Sequence, residues 1–260
     1  MQIDSTRRGV LPEMRAPVPF SCRKGTVRGW KVAIPGGHPL ATPAVAQGRL
    51  FLGGGFGSYE FYCLNAETGE LLWQYQTNDD GPTAAVVEDQ FVAFNTESCE
   101  LEVLTVDGKA VWKQWLGDPL MSMPAIANGR VFMAYPDTRH GGQHYLACFD
   151  VAAGQQLWRT PIVGEIITAP VLAEEKVFCA TLDGTLYCCR QSDGSVVWHE
   201  GSNATSSPVV VDGQCYFSQR KETRTEGAQP VSQQTEHCAV RGSSPRAATR
   251  EYGSTRRKAD

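Results

Sequence analysis

What this 260-residue chain lacks narrows its function before any motif is considered. No run of about 18 apolar residues occurs, so no segment is expected to span a membrane as a helix. Positive charge is not in excess: 24 Lys and Arg stand against 28 Asp and Glu, for a net charge of −4. Neutralising nucleic-acid phosphates takes clustered cations, so a nucleic-acid partner is not expected. The nine cysteines are an odd number and cannot all pair within one chain. No CxxC is matched by a second one, which argues against a structural zinc site. The start, MQIDSTRRGVLPEMRAPVPF, lacks the apolar middle of a signal peptide. Residues 221–260 contain no Leu, Ile, Phe, Met or Trp. Such a segment buries too little apolar area to offset its ordering entropy. It is expected to be a polar, disordered tail or an insertion, with the RRK at 256–258 solvated. Residues 1–25 are expected to be an irregular N-terminal segment.

Between these ends the chain repeats itself. Tryptophans fall at 30, 73, 112, 158 and 198, spaced 43, 39, 46 and 40 residues apart. The last four each follow a glycine by four residues: Gly69–Trp73, Gly108–Trp112, Gly154–Trp158 and Gly194–Trp198. A second marker keeps step with the first: TPAVA at 42, TAAVV at 83, MPAIA at 123, APVLA at 169 and SPVVV at 207. Two independent markers with one period near 40 residues define repeat units. Each unit holds short apolar runs divided by turn residues. Inner turns are expected at Gln47–Gly48, Glu88–Asp89, Asn128–Gly129, Glu174–Glu175 and Asp212–Gly213. A later turn precedes each Trp. Asp-Gly and Asn-Gly pairs between alternating runs are hairpin signals, because such turns need positive φ.

Four antiparallel strands per unit, repeated, predict an all-β fold, the β-propeller, with one unit per blade. Residues 26–220 carry four full blades plus partial ones. The chain also holds a Trp strand at 26–34 and the first two strands of a fifth unit. The count fits an incomplete ring, or a fragment of a seven- or eight-bladed propeller. It also fits a small ring in which the Trp30 strand completes the fifth unit; the fragment is favoured.

The segments AETGELLW (66–73), AAGQQLW (152–158) and SDGSVVW (192–198) resemble the repeats of pyrroloquinoline-quinone-type propellers. That family includes quinoprotein alcohol dehydrogenases and the propeller lipoprotein of bacterial outer-membrane assembly. The resemblance covers roughly residues 27–220, and TVDGKAVW departs from it by lacking Thr or Ala before its Gly. It implies that Trp73, Trp112, Trp158 and Trp198 dock between neighbouring blades. It also implies a periplasmic or cell-envelope setting and a protein partner. In the family's enzymes a quinone stacks on an axial Trp, faces a vicinal disulfide and binds a calcium held by Glu, Asn and Asp. No such set is matched residue by residue here. The expectation is therefore a non-catalytic scaffold without cofactor. The alternative is part of a dehydrogenase using pyrroloquinoline quinone with calcium.

Several short motifs are weighed on their residues. Cys188 and Cys189 are adjacent, but Cys188 aligns with Cys63 and Cys148, and Cys189 with Leu64 and Phe149. Successive strand side chains point to opposite faces, so both are expected to be free, buried thiols. His140 and His144, with Asp137 nearby, lie in the stretch that lengthens the third unit, expected to be an enlarged solvated loop. GGGFGS (53–58) is followed by a strand rather than a helix, so it is a hairpin and not a phosphate loop. Asn203-Ala204-Thr205 is a glycosylation sequon, meaningful only in a eukaryotic secretory chain.

Overall fold

The computed structural model describes residues 12–117, 122–166, 168–220 and, as backbone, 236–242. It is an all-β propeller whose four complete blades are antiparallel sheets in chain order. The first blade comprises β3 (Ala44–Ala46), β4 (Arg49–Gly53), β5 (Glu60–Asn65) and β6 (Leu71–Gln76); β1 and β2 precede it. The second comprises β7 (Val86–Glu88), β8 (Phe91–Asn95), β9 (Glu100–Thr105) and β10 (Ala110–Trp115). The third is β11 (Ala125–Ala127), β12 (Arg130–Asp137), β13 (Gln143–Asp150) and β14 (Gln156–Ile162). The fourth is β15 (Val171–Ala173), β16 (Lys176–Ala180), β17 (Thr185–Arg190) and β18 (Val196–Gly201). First strands stand side by side from β3 through β7, β11 and β15 to β19 (Val209–Val211).

Local chemistry explains the hairpins. Glu174 and Glu175 both take positive φ (49° and 58°) at the β15–β16 turn, where most units place Gly or Asn. The strain is offset at Glu174, whose carboxylate accepts the backbone N–H of Gly213 at 2.7 Å on the next blade. Glu88 does the same two blades earlier, accepting the N–H groups of Asn128 and Gly129 at 2.7 Å each. Acidic side chains at these turns therefore staple one blade to the next. The second inner turn falls on Asp89–Gln90, one residue beyond the expected Glu88–Asp89, because Glu88 pairs with Phe91.

The core lies between blades rather than within one sheet. Phe51, Phe61 and Cys63 of the first blade meet Val92, Phe94 and Leu104 of the second. Leu101 and Val103 on the opposite face of the second blade meet Val131, Met133 and Phe149 of the third. Central strands are buried on both faces, so each outer strand inherits the task of sealing the wedge between neighbours.

Three expectations are corrected at the ends and the middle. Within the segment taken as irregular, Val18–Cys22 forms β1, paired with β2 (Val27–Lys31) from Val18–Lys31 to Cys22–Val27. Trp30 is thus held by its own hairpin and does not complete the fifth unit, whose sheet is β19, β20 (Gln214–Arg220) and β21 (Glu236–Gly242). The last of these strands lies inside the stretch expected to be a tail. Its backbone pairs with β20 from Gln214–Gly242 to Arg220–Glu236, which satisfies an edge whatever the side chains. The rest of 221–260, including RRK, and residues 1–11 lie outside the described residues. Finally, the lengthening in unit three is mostly strand. β12 and β13 have eight residues each, so His144 sits on β13 opposite Pro136 and Ile162.

Candidate functional site

The repeat signature is where the structure first concentrates chemistry. Four Trp rings, those of Trp30, Trp73, Trp112 and Trp158, lie over the hairpin glycine of the following blade. A Cβ on Gly69 would sit 2.4 Å from the Trp30 ring, on Gly108 2.6 Å from Trp73, on Gly154 2.7 Å from Trp112, and on Gly194 2.4 Å from Trp158. These glycines also hold φ between 69° and 82°, so both backbone and neighbour exclude a side chain. Every indole N–H then donates to a carbonyl of that same hairpin. Trp30 donates to Ala66 at 3.1 Å, Trp73 to Val106 at 3.0 Å, Trp112 to Val151 at 2.7 Å and Trp158 to Gln191 at 2.9 Å. Two arginines add a second donor to the same carbonyls: Arg49 to Val106, and Arg130 to Gln191 at 2.9 Å. Trp198 packs on Phe178 of its own blade at a centroid distance of 6.2 Å, as Trp158 does on Phe132 at 5.9 Å. A one-residue shift in strand register precedes each of the four blade Trp residues, between Cys63 and Leu64, for example. It turns the ring toward the next blade.

The cysteine pair belongs to this packing. Cys188 pairs with Trp198 and Cys189 with Val196, as Cys63 pairs with Trp73 and Cys148 with Trp158. Both thiols are free and wholly buried. Cys188 faces Cys215 and Phe217, while Cys189 faces Cys148 and Trp158 across the other interface. Burial pushes their pKa values up, to about 11 for Cys188 and about 12 for Cys189. Thiols that stay protonated and point into opposite interfaces are packing groups, and the thiolate needed for redox exchange is suppressed. The quinone chemistry implied by the dehydrogenases does not fit this pair. Among the described residues no three His, Cys, Asp or Glu side chains converge as a metal set.

One buried acid escaped the sequence reading. Glu102 on β9 is fully buried between the first two blades. It accepts the hydroxyl of Tyr75 at 2.7 Å on one oxygen, and its other oxygen has no partner among the described residues. Burial pushes its carboxyl up to about 7. Tyr62 holds the register-equivalent place in the first blade, opposite Leu52 and Gln74 as Glu102 is opposite Phe94 and Lys113. Two residues past the preceding Trp, where the second interface offers Tyr75, the first offers only Val32. The Tyr62 hydroxyl is accordingly buried without a partner among the described residues. Tyr62→Phe is expected to be neutral, or stabilising by up to about 1 kcal/mol, because it removes an unpaired buried polar group. Urea unfolding checks this, and a loss above about 1 kcal/mol would mean the hydroxyl is satisfied in solution.

The two ends of the blades differ. On one end lie the turns joining first to second strands and the hairpins beneath the tryptophans. The other end carries the second-to-third hairpins and the connectors between blades, laced by backbone bonds. Gly81 N–H donates to Ser58 at 2.9 Å, Glu97 to Asp80 at 2.9 Å, and Leu182 to Glu165 at 2.8 Å. GGGFGS belongs here as the hairpin between β4 and β5, closed by Ser58 N–H to Gly55 at 3.0 Å. Asn203 lies here too, exposed, in a shallow cleft with Asp183 and Arg220.

The third blade's hairpin is the largest feature of this connector end. Asp137, the last residue of β12, takes His140 Nδ1 at 2.9 Å and the Arg159 guanidinium at 2.9 Å. The neighbouring His140, together with Arg159, holds its carboxyl below the usual carboxylate range. Arg159 stacks on Tyr145 at 4.2 Å from the ring centroid. Arg139 lies over Trp115 of the second blade at 4.3 Å. His144 is not brought to His140; its Nε2 lies 3.9 Å from Glu165. The two histidines of the H-x3-H stretch thus have different acidic neighbours, Asp137 and Glu165.

Together these features define a class: a β-propeller whose blades are locked by a tryptophan of one docked over a hairpin glycine of the next. The chain belongs to the family described as outer membrane protein assembly factor BamB, which matches residues 23–105 and 100–225. A BamB of Yersinia pestis is 23% identical over 173 residues, 60% of this chain and 42% of that protein. The quinohemoprotein alcohol dehydrogenase ADH-IIG of Pseudomonas putida is 24% identical over 177 residues, 61% of this chain and 24% of that one. Among solved structures, BamB from Moraxella catarrhalis superposes with a TM-score of 0.58 at 13% identity, covering 82% of this chain and 63% of that one. The chain thus spans less than half the length of these two curated relatives. Among the described residues no helix is long and apolar enough to cross a membrane.

Proposed function

We propose that this chain is a non-catalytic propeller scaffold whose connector end binds a protein partner. One observation carries the reading. The conspicuous chemistry of the sequence, its Trp–Gly pairs and cysteines, is committed to interfaces between blades, while the connector end carries the long hairpin of the third blade. The relatives that match as assembly factors support the same view, since assembly is work done through protein contacts.

The test sets this against a quinone enzyme. Pyrroloquinoline quinone and calcium are added to the chain, and cofactor absorbance and dye reduction with simple alcohols are followed. No saturable change is expected. Affinity capture from cell-envelope extract is expected to retrieve a stable partner in quinone-independent fashion. Saturable quinone binding with turnover would overturn the scaffold reading.

A further inference from the structure

The hairpin of the third blade is built unlike its counterparts. Its two strands run eight residues each, against five and six in the other complete blades. Its root is fixed: a Cβ on Gly117 would meet the Pro136 carbonyl at 1.8 Å, so the connector from the second blade lies directly against it. Gly142 N–H closes the tip onto the Asp137 carbonyl at 2.9 Å. On this support two exposed arginines lie over aromatic rings, Arg139 over Trp115 and Arg159 over Tyr145. Stacking on an aromatic face fixes a guanidinium plane and leaves its N–H edge for a planar acceptor. Arg159 uses part of that edge on Asp137. Arg139 makes no ion pair among the described residues.

We propose that this hairpin, bridging the second and third blades, docks a carboxylate-rich segment of a protein partner, with Arg139 as the main contact and Arg159 and His140 beside it. The inference rests on the scaffold reading and names its contact point. Charge complementarity sets the occupant: two prepared guanidinium groups suit Asp or Glu side chains, which Arg grips bidentately. A nucleic acid demands many phosphate contacts, more than two arginines supply.

The experiment uses the full chain and a short fluorescent peptide of alternating Glu and Ser, with its Gln–Ser counterpart and a DNA oligonucleotide as comparators, followed by anisotropy. The acidic peptide is expected to bind, weakening with added salt, and the Gln peptide to bind at least about tenfold less tightly. Arg139→Gln is expected to weaken the acidic peptide by about tenfold while leaving the melting temperature unchanged, since the residue is exposed. Equal binding of both peptides, an unaffected Arg139→Gln variant, or preference for the oligonucleotide would each overturn the proposal. Should a partner captured from extract bind Arg139→Gln as well as the unaltered chain, the hairpin assignment falls and the scaffold reading stands. Quinone turnover would instead remove the scaffold reading itself.

Discussion

Trp158→Ala is expected to lower the unfolding free energy by about 3–5 kcal/mol, the largest effect of any single substitution considered. The ring is 9% exposed, covers Gly194, and packs on Phe132 at a centroid distance of 5.9 Å. Removing it opens a cavity between the third and fourth blades. Little of the loss should come from the broken hydrogen bond, because the Gln191 carbonyl keeps its bond from Arg130. Trp198→Ala is the internal comparison. That ring packs on Phe178 but is only half-buried, so its loss should be smaller, about 1–2 kcal/mol. Urea unfolding of both variants checks the pair. Equal losses would show that the deeper burial of Trp158 contributes nothing.

A dependence on pH should follow from Glu102. Its carboxyl is raised from 4.5 to about 7 in the folded chain, chiefly because burial disfavours the ionised form. Between those values the folded state holds a proton that the unfolded state has released. The associated stability is therefore fully present below about pH 4.5 and lost as pH rises toward 7. Its size is about 3 kcal/mol. Asp137, Asp183 and Asp193 shift the other way and act below pH 4, outside this window. Glu102→Gln keeps an acceptor for Tyr75 but cannot titrate. Unfolding free energies at pH 5 and pH 7.5 should differ by about 2.4 kcal/mol less in the variant than in the unaltered chain. Parallel pH profiles would show that Glu102 is not the group responsible.

Glu102 also shows why some of the molecule was invisible in one dimension. ELEVLT looks like any strand with polar residues facing water. The carboxylate is buried only because Tyr75 arrives from a different blade, and nothing within β9 signals that. The Tyr62 orphan has the same origin: its fate depends on whether Val32 or a polar residue lies two places past the previous Trp. The strand β1 was missed for a local reason. Pro19 normally demotes a strand, but on a two-stranded ribbon it is tolerated opposite Trp30. The third blade's hairpin was placed correctly but taken as loop. GGQHY reads as a turn followed by polar residues, and only pairing with β12 and β14 makes it strand. Its stacked arginines draw their ring partners from separate strands, Trp115 from another blade.

By itself the sequence determined the blades. A 40-residue period, turn pairs requiring positive φ, and a glycine four residues before Trp73, Trp112, Trp158 and Trp198 are local constraints, and they survive in the fold with one turn, Asp89–Gln90, displaced by a residue. It also settled that Cys188 and Cys189 are strand residues, since the alignment of repeats fixed which face each one takes. The tertiary structure decided what those residues meet. Which carbonyl a Trp bonds, which acid loses its water, and which arginine finds an aromatic ring all depend on the adjacent blade. A neighbour some forty residues away leaves no mark on local periodicity, because burial and stacking are properties of the interface and not of either strand alone.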